Sequence, residues 1–299
     1  MFEEFKNAFQ RYNNGHVQLI IINLGVFVMM GVIMVITKVS GLGELWSIVH
    51  EQFQIPARFP EFVTRPWTIL TYMFMHDLSG ILHIFFNMLI MYWFGKLFVE
   101  YLGSDKLVAV YLLGGMAGGV VYLLGYNIIP YFIEQSQAYR IGMVGASASV
   151  NAIVVATATL LPNYTFFLLF VGPVRIKYIA AAFVFLSFLG TVGDNAGGNL
   201  AHLGGALMGF IYMKQLQSGI NWGGWITVTL EWFKDLFKEK PRVKVSYRKD
   251  RTGSAKTASA EKAGYTQEEI DRILDKISEG GYESLTKDEK EKLFNASKK

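Results

Sequence analysis

Six stretches of the chain are apolar over roughly the length of a membrane-spanning helix, which needs about 20 such residues. They cover residues 17–37, 81–101, 107–128, 141–161, 178–193 and 198–213. The last two are shorter than the others but very apolar. This pattern predicts an all-α membrane protein, a bundle of six transmembrane helices.

Lysine and arginine residues are distributed unevenly around these six stretches. Cytoplasmic loops of membrane proteins carry an excess of both residue types near the ends of the spans. One side of the predicted bundle carries Lys6, Arg11, Lys96, Lys106, Arg175, Lys177 and Lys214. The other side carries Lys38, Arg58, Arg65 and Arg140, and its last loop carries neither residue type. Both termini are therefore expected to be cytoplasmic.

The first external loop, residues 40–80, is long and rich in aromatic residues. It contains Trp46, Phe53, Phe59, Phe62 and Trp67. Aromatic side chains are enriched at the membrane–water interface. The loop is therefore expected either to lie in that interface or to be an ordinary folded external loop, and the sequence favours neither.

Composition divides the chain into a membrane body and a charged tail. Of the 299 residues, 52% are hydrophobic and 17% are charged, but the charge is concentrated towards the C-terminus. We predict a cytoplasmic N-terminus (1–16), a membrane domain (17–218), an interfacial amphipathic segment (219–240), a flexible linker (241–263) and a small helical hairpin (264–299). The segment 219–240 mixes aromatic residues with lysines, as interfacial helices do.

Two capping boxes predict the helices of the C-terminal hairpin. Thr266 with Glu269, and Thr286 with Glu289, have the spacing at which two side chains bond each other's backbone N–H groups. The partner of this cytoplasmic tail is unknown. The sequence leaves open whether the hairpin binds another protein, packs on the membrane body, sets turnover or is a weakly ordered appendage.

Several kinds of chemistry are excluded by composition. The chain has no cysteine, which removes disulfides, thiolate metal sites and a cysteine nucleophile. His50 and Glu51 resemble the start of a zinc-protease helix motif, but Gln54 stands where the second histidine is needed. No metal or cofactor is expected. The net charge of +4 is modest, and no nucleic-acid partner is predicted.

Polar side chains within the spans are candidates for function, because ionisable groups inside a bilayer are costly. His83 and Asn87 lie four residues apart in the second span, so they share one helical face. Taken alone, this pair is better explained by an interhelical hydrogen bond that holds the bundle together.

A serine and a histidine lie among small residues in the fourth and sixth spans. Ser147 lies between two alanines and two residues after Gly145, and His202 lies on or beside the stripe formed by Gly198, Gly205 and Gly209. A stripe of small residues can also have a purely structural role, in which it only lets two helices pack closely. Close approach matters here because a serine hydroxyl must lie within hydrogen-bond reach of its base.

Depth in the membrane links these residues into one predicted site. With both termini cytoplasmic, His83, Ser147 and His202 all lie a few residues from the outer starts of their helices. The helical rise of 1.5 Å per residue places them roughly 3 to 10 Å below those starts. Chance packing would not require this shared layer. We predict that Ser147 attacks a carbonyl carbon and His202 takes its proton, while His83, Asn87 and backbone N–H groups stabilise the oxyanion.

Two alternatives bear on this predicted site. No carboxylate within the spans is available to orient His202, so a dyad is expected rather than a triad. Ser149 is the rival nucleophile, but it lies about 200° around the helix from Ser147, so both serines cannot face the histidine.

In this order and on these helices, the residues resemble the rhomboid family of intramembrane serine proteases over about residues 60–217. The matching elements are Trp67, Thr71-x-x-Phe74-x-His76, His83-x-x-x-Asn87, Gly145-x-Ser147 and Ala201-His202-x-x-Gly205-x-x-x-Gly209. The resemblance implies six helices around a water-filled cavity open to the outside, with the serine as nucleophile and the sixth-helix histidine as general base. It also implies that the second-helix His and Asn form part of the oxyanion hole, and that the substrates are single-span membrane proteins.

The chain departs from the family pattern beside the serine. Ala148 stands where the family usually has glycine, and its methyl group could crowd the oxyanion pocket. Asn151 stands where the family often has an aromatic residue that packs on the histidine. Asn151 would have to hold His202 by a hydrogen bond or leave that role to another residue.

An intramembrane serine endopeptidase is the leading hypothesis. The alternative is a non-catalytic membrane-protein binder or chaperone with the same fold, and a third reading is a small-solute transporter or channel. Transporters usually show repeats, broken helices or several intramembrane acids, and none of these is found in the sequence. The expected location is a bacterial inner membrane, in which the chain is an integral multi-pass protein.

Overall fold

The structure, a computed structural model, describes residues 6–9, 11–138, 142–169, 171–237 and 266–297. The chain forms two compact units, residues 1–238 and 239–299. The predicted linker, residues 241–263, lies outside the described residues, as does Arg140.

The first unit is mostly helical. In chain order its helices are α1 (Gly15–Val39), α2 (Gly43–Phe53), α3 (Phe59–Thr64), α4 (Thr68–Thr71), α5 (Ile81–Leu102), α6 (Ser104–Ile128), α7 (Pro130–Ala138), α8 (Ser147–Leu160), α9 (Ile176–Leu189), α10 (Ala196–Gln217) and α11 (Gly224–Phe237). Short 3-10 helices cover Tyr72–Phe74 and Gly190–Val192.

Two small antiparallel sheets lie among the helices of this mostly helical fold. Strand β1 (Ile55–Pro56) pairs with β2 (Gly142–Met143), and β3 (Thr165–Leu168) pairs with β4 (Gly172–Arg175). The first sheet joins the long first loop to the segment just before α8, and the second joins α8 to α9. Both satisfy backbone groups in segments that connect the helices.

Three helices among the described residues are long and apolar enough to cross a membrane, namely α1, α5 and α6. Helix α8 and the continuous segment Ile176–Val192 are apolar but shorter. The fourth predicted span begins six residues too early, at residue 141 rather than at Ser147. The residues just before Ser147 are not helical. Gly142–Met143 forms a strand, and Gly145 has a φ of +138°, which a helix does not allow.

Small residues bring α8 and α10 into direct backbone contact. A β-carbon built on Gly205 would collide with the carbonyl group of Ala148, and one built on Gly209 would collide with that of Ala152. The four residues lie one turn apart on their helices, so the contact runs along a stripe. Glycine is needed at both positions of α10 because any side chain would push the two backbones apart.

Helix α8 also packs on α6, through a second stripe of glycines. The methyl group of Ala148 lies over Gly118, 2.6 Å from the place where a β-carbon of Gly118 would stand. The methyl group of Ala152 lies over Gly114 in the same way. Helix α8 is thus enclosed between α6 and α10, and most of its residues are buried.

The last helix of the first unit, α11, has an exposed apolar face. Ile226 is buried, whereas Trp225, Val228, Trp232 and Leu236 are each more than half exposed. These four residues follow helical spacing, so they lie on one exposed face of α11.

The second unit contains helices α12 (Gln267–Gly280) and α13 (Lys287–Ser297), joined by a 3-10 turn at Tyr282–Ser284. Both predicted capping boxes form. Thr266 and Glu269 exchange their side-chain and backbone hydrogen bonds, as do Thr286 and Glu289. An ion pair of 2.9 Å between Lys276 and Glu289 links the two helices.

We expect Gly205→Val to destabilise the first unit strongly, because its side chain would meet a backbone carbonyl that cannot move without displacing α8. Overpacking against side chains costs about 1–3 kcal/mol, and we expect at least the upper end of that range. Thermal unfolding in detergent measures the effect. Gly25→Val on α1 is the control, since a β-carbon there meets nothing within 4 Å. Equal Tm values for the two variants would contradict the packing described for α8 and α10.

Candidate active site

Ser147 and His202 face each other across the contact between α8 and α10. The Oγ atom of Ser147 lies 2.7 Å from Nε2 of His202, which is hydrogen-bond distance for a nucleophile and its base. Both residues are only partly buried. A molecule in the neighbouring cavities can therefore reach them.

The glycine stripe of α10 determines this distance. Ser147 directly precedes Ala148, whose carbonyl group contacts Gly205. His202 lies three residues before Gly205, on the adjacent part of the same helical face. The contact that packs the two helices therefore also sets the separation of the two side chains.

Gly145 shapes the turn that leads into Ser147. Its φ of +138° lies in a region that side chains disfavour. Its backbone N–H donates to the carbonyl oxygen of Tyr72 at 3.0 Å. A β-carbon on Gly145 would lie 3.5 Å both from Nε2 of His83 and from Oγ of Ser147. His83 thus approaches the serine from α5, across the space left by the missing side chain.

Two cavities meet at Ser147. The loop-side cavity, of about 500 Å³, is lined by residues that include Tyr72, Asp77, Gly145, Tyr122 and Asp194. The helix-side cavity, of about 410 Å³, is lined by residues that include Phe86, Asn87, Val150, Phe183 and His202. Ser147 and His83 line both cavities. An extended chain could therefore pass Ser147 with one part in each cavity.

Donors for a developing negative charge lie around the serine. Ser147 is the first residue of α8, and the first backbone N–H groups of a helix have no partner within it. The helix N-terminus also carries a partial positive charge. Asn87 is buried, and its side chain lines the helix-side cavity together with Ser147 and His83. All four predicted site residues therefore line the helix-side cavity.

His76 and Asp77 lie beside this group, in the loop before α5. The rings of His76 and His83 lie 6.2 Å apart. Burial, and then the neighbouring His83, lower the pKa of His76 to about 4, so His76 is neutral near pH 7. The pKa of Asp77 is lowered by hydrogen bonds from the backbone N–H of Ser79 and then from its hydroxyl. Asp77 therefore brings a negative charge to the loop-side cavity.

Ala148 and Asn151, the two departures from the family pattern, make different contacts in the structure. The methyl group of Ala148 packs over Gly118, so α6 provides the room that it needs. The side chain of Asn151 donates to the carbonyl oxygen of Ser147 at 2.9 Å and not to His202. The hydrogen-bond partner of His202 on its other nitrogen is Ser187 of α9, whose Oγ lies 3.3 Å from Nδ1. Sequence reasoning missed Ser187, although it is the one serine of α9, which contains no threonine.

The rival serine lies on the other side of α8. Ser149 is fully buried, and its Oγ lies 3.9 Å from Sδ of Met73. A β-carbon on Gly115 of α6 would approach the same hydroxyl. Ser149 thus faces α6 and not α10.

Two buried tyrosines hold the 3-10 turn behind the site, and sequence reasoning missed both. The hydroxyl of Tyr72 donates to the carbonyl oxygen of Gly115 at 2.6 Å, and that of Tyr111 donates to the carbonyl oxygen of Met73 at 2.7 Å. A buried tyrosine hydroxyl usually finds a partner, so the presence of these tyrosines was the available signal. Their partners depend on the tertiary structure.

We expect Gly145→Ala to slow the reaction of Ser147 with a serine-directed covalent probe by at least about tenfold. The new methyl group would occupy the space between His83 and Ser147, and a side chain at this φ costs about 1–3 kcal/mol. Mass spectrometry of the labelled peptide measures the rate. Gly41→Ala is the control, because Gly41 also has a positive φ but meets nothing within 4 Å. A wild-type labelling rate for Gly145→Ala would contradict this role of the glycine.

Comparison with known families gives two matches along the chain. The model described as "Rhomboid domain" matches residues 63–217. The model described as "Family of unknown function (DUF6576)" matches residues 259–299, which include the second unit's two helices.

Similar curated proteins come from the plant Arabidopsis thaliana. The chain is 29% identical to "RHOMBOID-like protein 12, mitochondrial" over 212 residues, which cover 67% of this chain and 58% of that protein. It is 25% identical to "Rhomboid-like protein 16, chloroplastic" over 67% of this chain and 62% of that protein. It is 28% identical to "RHOMBOID-like protein 6, mitochondrial" over 51% of this chain and 46% of that protein. The chain thus matches less than two thirds of the length of each relative. Their names indicate organelles, which gives no support to the expected bacterial location.

Proposed function

Because the chain belongs to the rhomboid family, we propose that it is an intramembrane serine endopeptidase. The observation that carries this proposal is the 2.7 Å separation of Ser147 Oγ and His202 Nε2. The proposed substrates are membrane proteins, hydrolysed in or near their transmembrane segments. No cofactor takes part in the proposed reaction.

In the proposed acylation step, Nε2 of His202 takes the hydroxyl proton as Oγ of Ser147 bonds to the scissile carbonyl carbon. The carbonyl oxygen becomes an oxyanion, which the side chains of His83 and Asn87 and the first N–H groups of α8 stabilise. Collapse of this intermediate breaks the C–N bond, and His202 returns the proton to the leaving amine. An acyl-enzyme ester on Ser147 remains.

Water completes the proposed cycle from the loop-side cavity, whose lining includes the charged and polar side chains of Asp77, Asp194 and Asn195. His202 takes a proton from this water as its oxygen attacks the ester, and then returns the proton to Oγ of Ser147. The substrate chain would extend from the loop-side cavity into the helix-side cavity, because Ser147 lines both.

The proposed topology has six spans, formed by α1, α5, α6, α8, α9 and α10, with both termini cytoplasmic. The two shorter helices, α8 and α9, are extended by the small sheets and the 3-10 turn next to them. Segment 219–240 would lie on the inner interface through the exposed face of α11 that carries Trp225 and Trp232. The remaining boundaries, with a cytoplasmic linker and hairpin, follow the sequence division. A bacterial inner membrane stays a prediction.

Ser147→Ala should abolish cleavage of a single-span substrate by the purified protein in detergent, because no other described hydroxyl lies within hydrogen-bond distance of Nε2 of His202. Ser149→Ala is the matched control. It should keep activity within about threefold, since it removes only one weak contact, with Met73. Cleavage is followed by gel shift of the substrate.

Three outcomes of this experiment are distinct. Undiminished cleavage by Ser147→Ala would reject Ser147 as the nucleophile. Loss of cleavage only in Ser149→Ala would assign the reaction to the rival serine. A folded wild-type chain that binds membrane proteins but never cleaves them would favour the alternative function, a non-catalytic membrane-protein binder or chaperone.

Asn87→Ala should lower kcat by roughly 10²–10³-fold with little change in KM, because an oxyanion donor acts mainly in the transition state. Steady-state cleavage kinetics measure both constants. Asn23→Ala is the control for general damage, since it removes another buried amide, which is bonded to Tyr111 of α6. We expect that control to lower Tm with a much smaller change in kcat. Equal losses of kcat in the two variants would reject the oxyanion role of Asn87.

A further inference from the structure

We propose that Ser187 is a positioning residue for His202, so that the site is a Ser147–His202–Ser187 relay rather than a dyad. This inference rests on the proposed function. The hydroxyl of Ser187 would accept a hydrogen bond from Nδ1–H of His202, and this bond would keep Nε2 free to take the proton of Ser147.

The order of contacts matches that of a nucleophile, a base and an orienting group. Oγ of Ser147 lies 2.7 Å from Nε2 of His202, and Oγ of Ser187 lies 3.3 Å from Nδ1. The imidazole ring is therefore held at both nitrogens by hydroxyls from two different helices, α8 and α9. Ser187 is 6% exposed, so bulk water competes weakly for this hydrogen bond.

The protonation chemistry requires an acceptor at Nδ1. A neutral imidazole carries its proton on one nitrogen only, and Nε2 can act as a base only when that proton is on Nδ1. After His202 takes the proton of Ser147, both nitrogens are donors. A buried N–H without a partner is costly. A serine hydroxyl can rotate to present a lone pair in both states, so Ser187 can serve throughout the cycle.

Other candidates for this role are placed elsewhere. Asn151 donates to the carbonyl oxygen of Ser147. Asp77 and Asp194 line the loop-side cavity, whereas His202 lines the helix-side cavity. The described lining of the helix-side cavity includes Ser187 and no carboxylate.

The end of α9 is held against α10 in a way that fixes Ser187. The side chain of Asn199 donates to the carbonyl oxygen of Gly190 at 3.0 Å. Asn199 and His202 lie three residues apart on α10, and Ser187 and Gly190 lie three residues apart at the end of α9. The two contacts therefore form parallel rungs between facing helices. A β-carbon on Gly190 would collide with the Asn199 amide, so glycine permits this close approach.

Ser187→Val and Ser187→Thr form a matched pair that tests the hydroxyl separately from its packing. The two side chains have nearly the same shape, and only threonine keeps the hydroxyl. We expect kcat to fall by about 5- to 10-fold in Ser187→Val, as for loss of one hydrogen bond, with KM unchanged. Ser187→Thr should stay within about twofold of the wild type. Thr157→Val controls for the loss of a buried hydroxyl away from His202. It removes a hydroxyl of α8 that bonds the carbonyl oxygen of Ile153.

Nitrogen NMR of the chain labelled with ¹⁵N-histidine supplies a readout that does not depend on turnover. The wild type should show His202 with its proton on Nδ1, and Ser187→Val should show a mixture of the two tautomers. His202→Gln assigns the signals. Equal losses of kcat in Val and Thr variants, or an unchanged His202 tautomer in Ser187→Val, would overturn the role of Ser187. Undiminished cleavage by Ser147→Ala would instead overturn the proposed function, so the two failures are distinguishable.

Discussion

The close contact between α8 and α10 is the constraint on which the rest of the first unit depends. Two helices can approach this closely only where one of them has no side chains, and Gly205 and Gly209 meet that condition against the carbonyl groups of Ala148 and Ala152. In a bilayer, apolar surface gives little reason for helices to associate, so close packing and interhelical hydrogen bonds must hold them together. The same stripe brings Ser147 and His202 within 2.7 Å. Stability and the geometry of the candidate site therefore have one physical origin.

Polar groups around the site are held by partners from distant parts of the chain. The turn at Tyr72–Phe74 is tied to α6 by two tyrosine hydroxyls, and it in turn accepts the N–H of Gly145. These bonds matter because an unpaired backbone group in an apolar surrounding is expensive. They also fix the segment that leads into Ser147. The small sheet between β1 and β2 attaches the long first loop to the same segment.

The contact of Ser187 changes how the proposed reaction is understood. In the proposed arrangement, a histidine between two hydroxyls would have its ring held at both nitrogens without a buried carboxylate. A buried ionised carboxylate would require compensation for its desolvation, and a serine does not. Ser187 lies near the end of α9, and the contact of Asn199 with Gly190 holds that helix end against α10.

The sequence by itself determined the apolar stretches, the capping boxes of the second unit and the identities of Ser147, His202, His83 and Asn87, because helical periodicity, caps and rare intramembrane polar residues are local signals. It could not determine the short sheets, the start of α8 at Ser147 or the tyrosine hydrogen bonds, since each depends on a partner far away in the chain. The case of His202 shows the difference most clearly. The sequence placed this histidine on or beside a glycine stripe, but it did not determine which residue hydrogen-bonds its second ring nitrogen. Only the tertiary structure, by bringing the end of α9 against α10, decided that Ser187 and not Asn151 lies at Nδ1.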